Sequence, residues 1–177
     1  MRARLSLGLV AVVVAAPQPS ALVLHRSDVG AAFSARGMRI SNRDVPRPLR
    51  RGRIDGHEVV FTRTTGSLQD GPLQVQSGAG VYRTGSEAHA AIAYSARQLV
   101  PAGYVPLQLG FAIGRDARQW VRQGEAGVGT VLQYLLIWRE HDVDASIVIT
   151  GRVGVVSAAD VAPLARRQEA RIRAALR

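Results

Sequence analysis

The stretch Thr130–Thr150, TVLQYLLIWREHDVDASIVIT, limits the possible folds of this chain more than any other. It reads as a hairpin of two long strands turning at Glu140–His141–Asp142. In the first arm Leu132, Tyr134, Leu136 and Trp138 share one face, and Val131, Leu135 and Ile137 share the other. Side chains alternate across a strand, so an arm that is apolar on both faces belongs in the middle of a sheet. In the second arm Val143, Ala145, Ile147 and Ile149 alternate with Asp144, Ser146, Val148 and Thr150, the pattern of a half-buried strand. The rest of the chain has to cover this hairpin.

Ile54–Thr65 and Leu73–Thr84 read as a second hairpin, with Asp70-Gly71-Pro72 as its turn. Leu73, Val75, Ala79 and Val81 share a face with Ser77. Gly78 and Gly80 lie on the opposite, polar face and mark a bulge or a close backbone approach. Ser86–Leu99 reads as a helix capped by Ser86 and ended by Pro101 and Gly103. Tyr104–Leu109 is expected as a short strand. Ala117–Gln123 is expected as another, joined across Gly124–Gly127 to the central arm.

A closing helix is expected from Asp160 to Arg177. Pro163 fits only in its first turn, which favours Asp160 over Ser157 as the cap. Val161, Leu164, Ala165, Ile172 and Leu176 form its inward face, while Arg166, Arg167, Arg171, Arg173 and Arg177 project elsewhere. Nearer the N-terminus, Ser27 or Asp28 caps a short helix through Phe33 that Gly37 stops. Val45–Gly52, with Pro46 and Pro48, reads as an extended loop.

Met1–Ala21 has the layout of an export signal. Arg2 and Arg4 precede the apolar run Leu5–Ala16, which is too short for the roughly 20 residues that span a bilayer. No cysteine follows, so the chain is expected as an exported protein and not a lipoprotein, with one α+β domain over Leu22–Arg177. The absence of cysteine also excludes disulfides, thiolate metal sites and cysteine nucleophiles. Lysine is absent too, which removes Schiff-base chemistry and a P-loop lysine; all 23 basic side chains are arginine.

The formal net charge is +10, and arginine is concentrated between Arg26 and Arg53. Arg43, Arg47, Arg50, Arg51 and Arg53 are the candidate binding residues. Such a field favours an anionic envelope polymer, a lipid head group or another envelope protein as partner, with the chain peripheral to a membrane at most. The run Arg36–Arg53 contains no aromatic residue for base stacking, so nucleic acid is not expected.

No cofactor or metal is expected. The four histidines lack metal-ligand spacing. Glu140, Asp142 and Asp144 fall on one face only if alternation continues through the turn, and a tight turn breaks it. No G-x-S-x-G occurs, and the paired glycines at Gly78 and Gly127 lack the third glycine of a dinucleotide fingerprint. The chain is therefore not expected to be an enzyme. The alternative is a secreted hydrolase whose site, drawn from His57, Glu58, His141 and Asp142, assembles only in space.

Three patterns carry a resemblance: Ile113-Gly114-Arg115-Asp116-Ala117, Trp138-Arg139-Glu140-His141-Asp142-Val143, and the closing LARRQEARIRAAL. In this order, after an alanine-rich helix, the region from Gly52 to Leu176 resembles exported actinobacterial domains of the Mog1/PsbP-like type. These include extracellular sensor domains of serine/threonine protein kinases and related envelope proteins. The turn here reads Glu-His-Asp where those domains usually read Arg-Gly-Asn. The kinase sensors also carry disulfides that this chain cannot form. The resemblance implies an antiparallel sheet of about six strands flanked by about three helices, and an envelope binding, sensing or accessory role without a catalytic set.

Overall fold

A computed structural model describes residues 17–177. Most of the expected signal segment therefore lies outside the described residues. Seven strands form one antiparallel sheet: β1 (Phe33–Arg39), β2 (Arg53–Arg63), β3 (Gln74–Tyr82), β4 (Val105–Leu107), β5 (Arg115–Ala126), β6 (Gly129–Glu140) and β7 (Val143–Arg152). Their spatial order is β1-β2-β3-β7-β6-β5-β4. The hairpin β6–β7 lies inside the sheet, as its two apolar faces require, and the second hairpin is β2–β3.

Two long helices cover opposite faces: α3 (Gly85–Leu99) and α4 (Val161–Ala175). Alternation assigns the layers. Val75, Leu136, Trp138, Ile147 and Ile149 pack toward Val161, Ala165 and Ile172 of α4. Trp120, Leu135 and Ile137 pack toward Ile92 and Ala96 of α3. Leu22, Val23 and Leu24 close the α4-side core after a 3-10 turn at Pro19–Ala21.

The structure departs from expectation in places that have local causes. The helix α1 (Arg26–Val29) is one turn long, because Gly30 at φ 117° leaves helical space. The chain then pairs with β2, and Phe33–Arg39 is an edge strand in place of helix. Gly37 does not stop a helix; the His57 ring packs over it, and a Cβ there would meet Nε2 at 3.0 Å. Within the expected extended loop, Arg47–Arg50 forms a single turn, α2, with proline in its first turn. The cap of α3 is Thr84, two residues ahead of the expected Ser86; its hydroxyl accepts the Glu87 N–H. At the closing helix Asp160 stands at the N-cap position, as expected, but its side chain makes no capping hydrogen bond to α4; Ser157 caps the turn before it. A 3-10 turn, Ala158–Asp160, leads into α4, and Asp160 Oδ2 accepts the Ser157 N–H at 2.7 Å.

Candidate functional site

The three quoted motifs meet at one corner of the sheet. The Gly114 N–H donates to Glu169 Oε1 on α4 at 2.8 Å, and Arg173 of α4 bridges Glu169 and Glu140. Gly114 has φ 37°, and a Cβ there would meet Arg139 O at 2.5 Å and Trp138 Cδ1 at 2.6 Å. Only glycine lets the start of β5 lie this close to β6.

Arg139 is the hub on the other face. Its Nε donates to Asp116 Oδ2 at 2.7 Å, and its Nη1 donates to His141 O at 2.9 Å. Both acceptors belong to residues in left-handed conformation, Asp116 at φ 56° and His141 at φ 53°. Two such non-glycine residues held by one guanidinium form a locally strained corner, of the kind that gathers at functional sites. His89 of α3 adds Nδ1 at 3.0 Å from Asp116 Oδ2. Arg139 and then His89 hold the Asp116 carboxyl below its ordinary range.

Beside this hub opens a notch of about 400 Å³ lined by Arg83, Thr84, Gly85, Arg115, Arg139, Glu140, His141 and Asp142. Glu140 is engaged by Arg173, and Arg139 by Asp116. Arg83 and Arg115 are exposed, and neither makes an ion pair among the described residues. The first turn of α3 lies at the notch, where the Thr84 hydroxyl accepts the Glu87 N–H and donates to the Glu87 carboxylate. A neighbouring groove, lined by Pro48, Arg51, Thr84, Ser86, Glu87 and Ala90, shares Thr84 with the notch. Arg51 thus borders the groove, and Arg83 and Arg115 the notch, with Glu87, Glu140 and Asp142 in the same linings.

The expected arginine set divides on inspection. Arg43, Arg47, Arg50 and Arg51 are exposed. Arg50 ties its own loop, donating to Val45 O and Arg43 O. Arg53 is a correction to the expected surface set: it is 8% exposed. Its Nη1 donates to Ile40 O at 2.8 Å and to Asn42 Oδ1 at 3.2 Å. The reason is a register shift between Arg53 and Asp55, which turns Arg53 onto the face of Gly56 and Tyr82.

The carboxylates of the β6–β7 turn do not gather. The two-residue turn sends Glu140 toward α4 and Asp144 toward the α3 side, where the Tyr82 hydroxyl donates to Asp144 Oδ2 at 3.2 Å. Among the described residues no group of three metal-ligating side chains converges. The residues named for a hydrolase site are also dispersed. His57 and Glu58 are successive strand residues on opposite faces, while His141 and Asp142 lie at the distant turn. The histidine–carboxylate pair that does form, His89 with Asp116, involves neither.

No family model matches the sequence, and no curated protein matches it. Among solved structures, the fold is similar to the crystal structure of the extracellular domain of PknH from Mycobacterium tuberculosis. The TM-score is 0.63 at 10% identity, over 90% of this chain and 98% of that one. The architecture is α+β and consistent with the Mog1/PsbP-like arrangement, with seven strands and four helices, two of them single turns. Among the described residues no helix is long and apolar enough to cross a membrane.

Proposed function

We propose that this is an exported binding or sensing domain of the cell envelope that performs no catalysis itself. Its partner is anionic, an envelope polymer, a lipid head group or an acidic face of another envelope protein. The contact is the notch and the neighbouring groove, lined by Arg51, Arg83 and Arg115. One observation carries this reading. Arg39, Arg139, Arg171 and Arg173 each meet a carboxylate, whereas these three meet none among the described residues. Unpaired guanidinium groups clustered on one surface attract anions and bind carboxylate or phosphate in a bidentate fork. Asp142 in the notch offsets part of that charge. The leader and the likeness to an extracellular domain support export.

The test is sedimentation with vesicles of phosphatidylglycerol or phosphatidylcholine, and retention on immobilised polyphosphate, across a salt series. Wild type should bind the anionic probes at low salt and lose them as salt screens the charges. A variant carrying Arg51→Ala, Arg83→Ala and Arg115→Ala should lose most of that binding. Absence of binding at every salt, or a triple variant that binds like wild type, would sink the reading.

A further inference from the structure

The two edges of the sheet are finished differently. β4 is three residues long with Pro106 in the middle, which leaves little for another strand to pair with. β1 runs seven residues without proline, and its ladder to β2 has no register shift. Ser34–Arg39 are all exposed, and among the described residues no strand lies beyond them.

The ladder shows which main-chain groups are free. The Ile40 N–H donates to Gly56 O, and the Thr64 N–H donates to Ala32 O, each at 2.9 Å. Hydrogen-bonded pairs alternate with open ones along an antiparallel ladder. Ser34, Arg36 and Met38 therefore bond to Thr62, Val60 and Glu58, while Ala35, Gly37 and Arg39 turn their N–H and C=O groups outward. On one face Ala35 and Gly37 stand beside Phe61 and Val59, and being small they leave that apolar row without a rim. On the other face Arg36 flanks Met38, which is 40% exposed.

Charge decides what can lie along this edge. Arg36 makes no ion pair among the described residues, and Arg39, though paired with Asp55, keeps its side chain 74% exposed. Glu58, opposite Met38, offsets part of the field. A second copy of the chain fits poorly. In the antiparallel register that overlaps all of β1, Arg36 faces its own counterpart, and like charges directly opposite are unfavourable.

We infer that β1 is the docking edge for an extended acidic segment of another protein, which adds to the sheet as a further strand. The outward groups of Ala35, Gly37 and Arg39 bond its main chain. An acidic side chain opposite Arg36 selects it, with Arg39 adding to the attraction. On the other face of the segment, an apolar side chain opposite Gly37 covers Val59. None of these residues lines the notch or the groove of the proposed function, so either reading can fail alone.

NMR titration of the intact protein with two synthetic peptides as long as β1 tests this, one alternating glutamate with valine and one alternating lysine with valine. The glutamate peptide should shift the amide signals of Ala35, Gly37 and Arg39 and slow their hydrogen exchange; the lysine peptide should not. Arg36→Glu should reverse that preference. Ala35→Pro removes an outward N–H but no bond to β2, so it should weaken binding several-fold while the protein still melts cooperatively. The proposal is overturned if neither peptide perturbs β1, if both bind alike, or if Arg36→Glu leaves the preference unchanged. A glutamate peptide that perturbs only residues around the notch overturns it as well. So does sedimentation of the protein as a dimer that Ala35→Pro separates, because the occupant is then a second copy.

Discussion

Asp144 is the side chain whose environment departs most from that of a free carboxyl. Part of its surface opens on a cavity that Glu58 also lines, but protein atoms crowd the carboxyl. Burial pushes its pKa up to about 6, against the opposing pull of Arg53 and Tyr82. The folded state therefore holds this proton more tightly than the unfolded chain, so stability falls as pH rises from about 4 to about 6 and stays lower above. At about 1.4 kcal/mol for each tenfold change in proton affinity, the ionised group costs the fold on the order of 2–3 kcal/mol. Asp116 and Asp55 act oppositely. Their pKa values are lowered by Arg139 and by Arg39, so their contribution is present at neutral pH and lost below about 4. Chemical denaturation across pH 3–8 should show both limbs in wild type. In Asp144→Asn the decline between about pH 4 and 6 should vanish while the acid limb remains. Glu58→Gln in the same series shows whether that neighbouring carboxylate contributes to the decline. Another contrast belongs to single residues. Gly114→Ala puts a Cβ into Arg139 O and should cost more than about 1 kcal/mol, whereas Gly127→Ala, with open space around it, should stay within about 0.5 kcal/mol. Thermal melts of the two variants decide it.

Among the elements, α4 separates what periodicity reveals from what it hides. Ile172 is fully buried and Arg167 is exposed, so the helix faces the sheet as its apolar spacing indicates. Ile172→Ala should cost about 2–5 kcal/mol. Arg167→Ala should cost less, though its contact to Asp28 O raises it toward about 1 kcal/mol. Urea unfolding of both ranks them, and the reverse order would mean a rotated helix. The apolar stripe was readable because helical period is a local property. Gln168 and Glu169 were not, because they are buried by partners far along the chain. Gln168 accepts from the Ser77 hydroxyl and donates to Gly78 O, and Glu169 accepts the Gly114 N–H. The same distinction applies to the site. The arginine run from Arg43 to Arg53 is contiguous and visible in sequence, but a bulge turns Arg53 inward. Arg83, Arg115 and Arg139 come from a strand end, a bulged strand start and a hairpin, and only the sheet order brings them together. The one hint was that Arg115 and Arg139 lie in the motifs that carried the resemblance.

For the molecule as a whole, closure of the core depends on a short segment ahead of the first strand. Leu22, Val23 and Leu24 are at most 1% exposed, and the Leu24 N–H donates to Ser77 Oγ. That hydroxyl continues to Gln168, so one buried chain of hydrogen bonds joins the N-terminal segment, β3 and α4. Burying each of the three apolar side chains is worth about 1.5–3 kcal/mol. Their sum is comparable with the 5–15 kcal/mol that typically separates a folded domain from its unfolded chain. Removing them would also take from the buried Ser77 hydroxyl the Leu24 N–H that it accepts, at a further cost of about 1–3 kcal/mol. A protein beginning at Leu22 should therefore melt cooperatively, and one beginning at His25 should not. Circular dichroism melts of the two forms, with amide exchange at β3 and α4, check this. A cooperative melt of the shorter form at a similar temperature would mean that α4 and the sheet close the core by themselves, and that the segment 22–24 only rests on it.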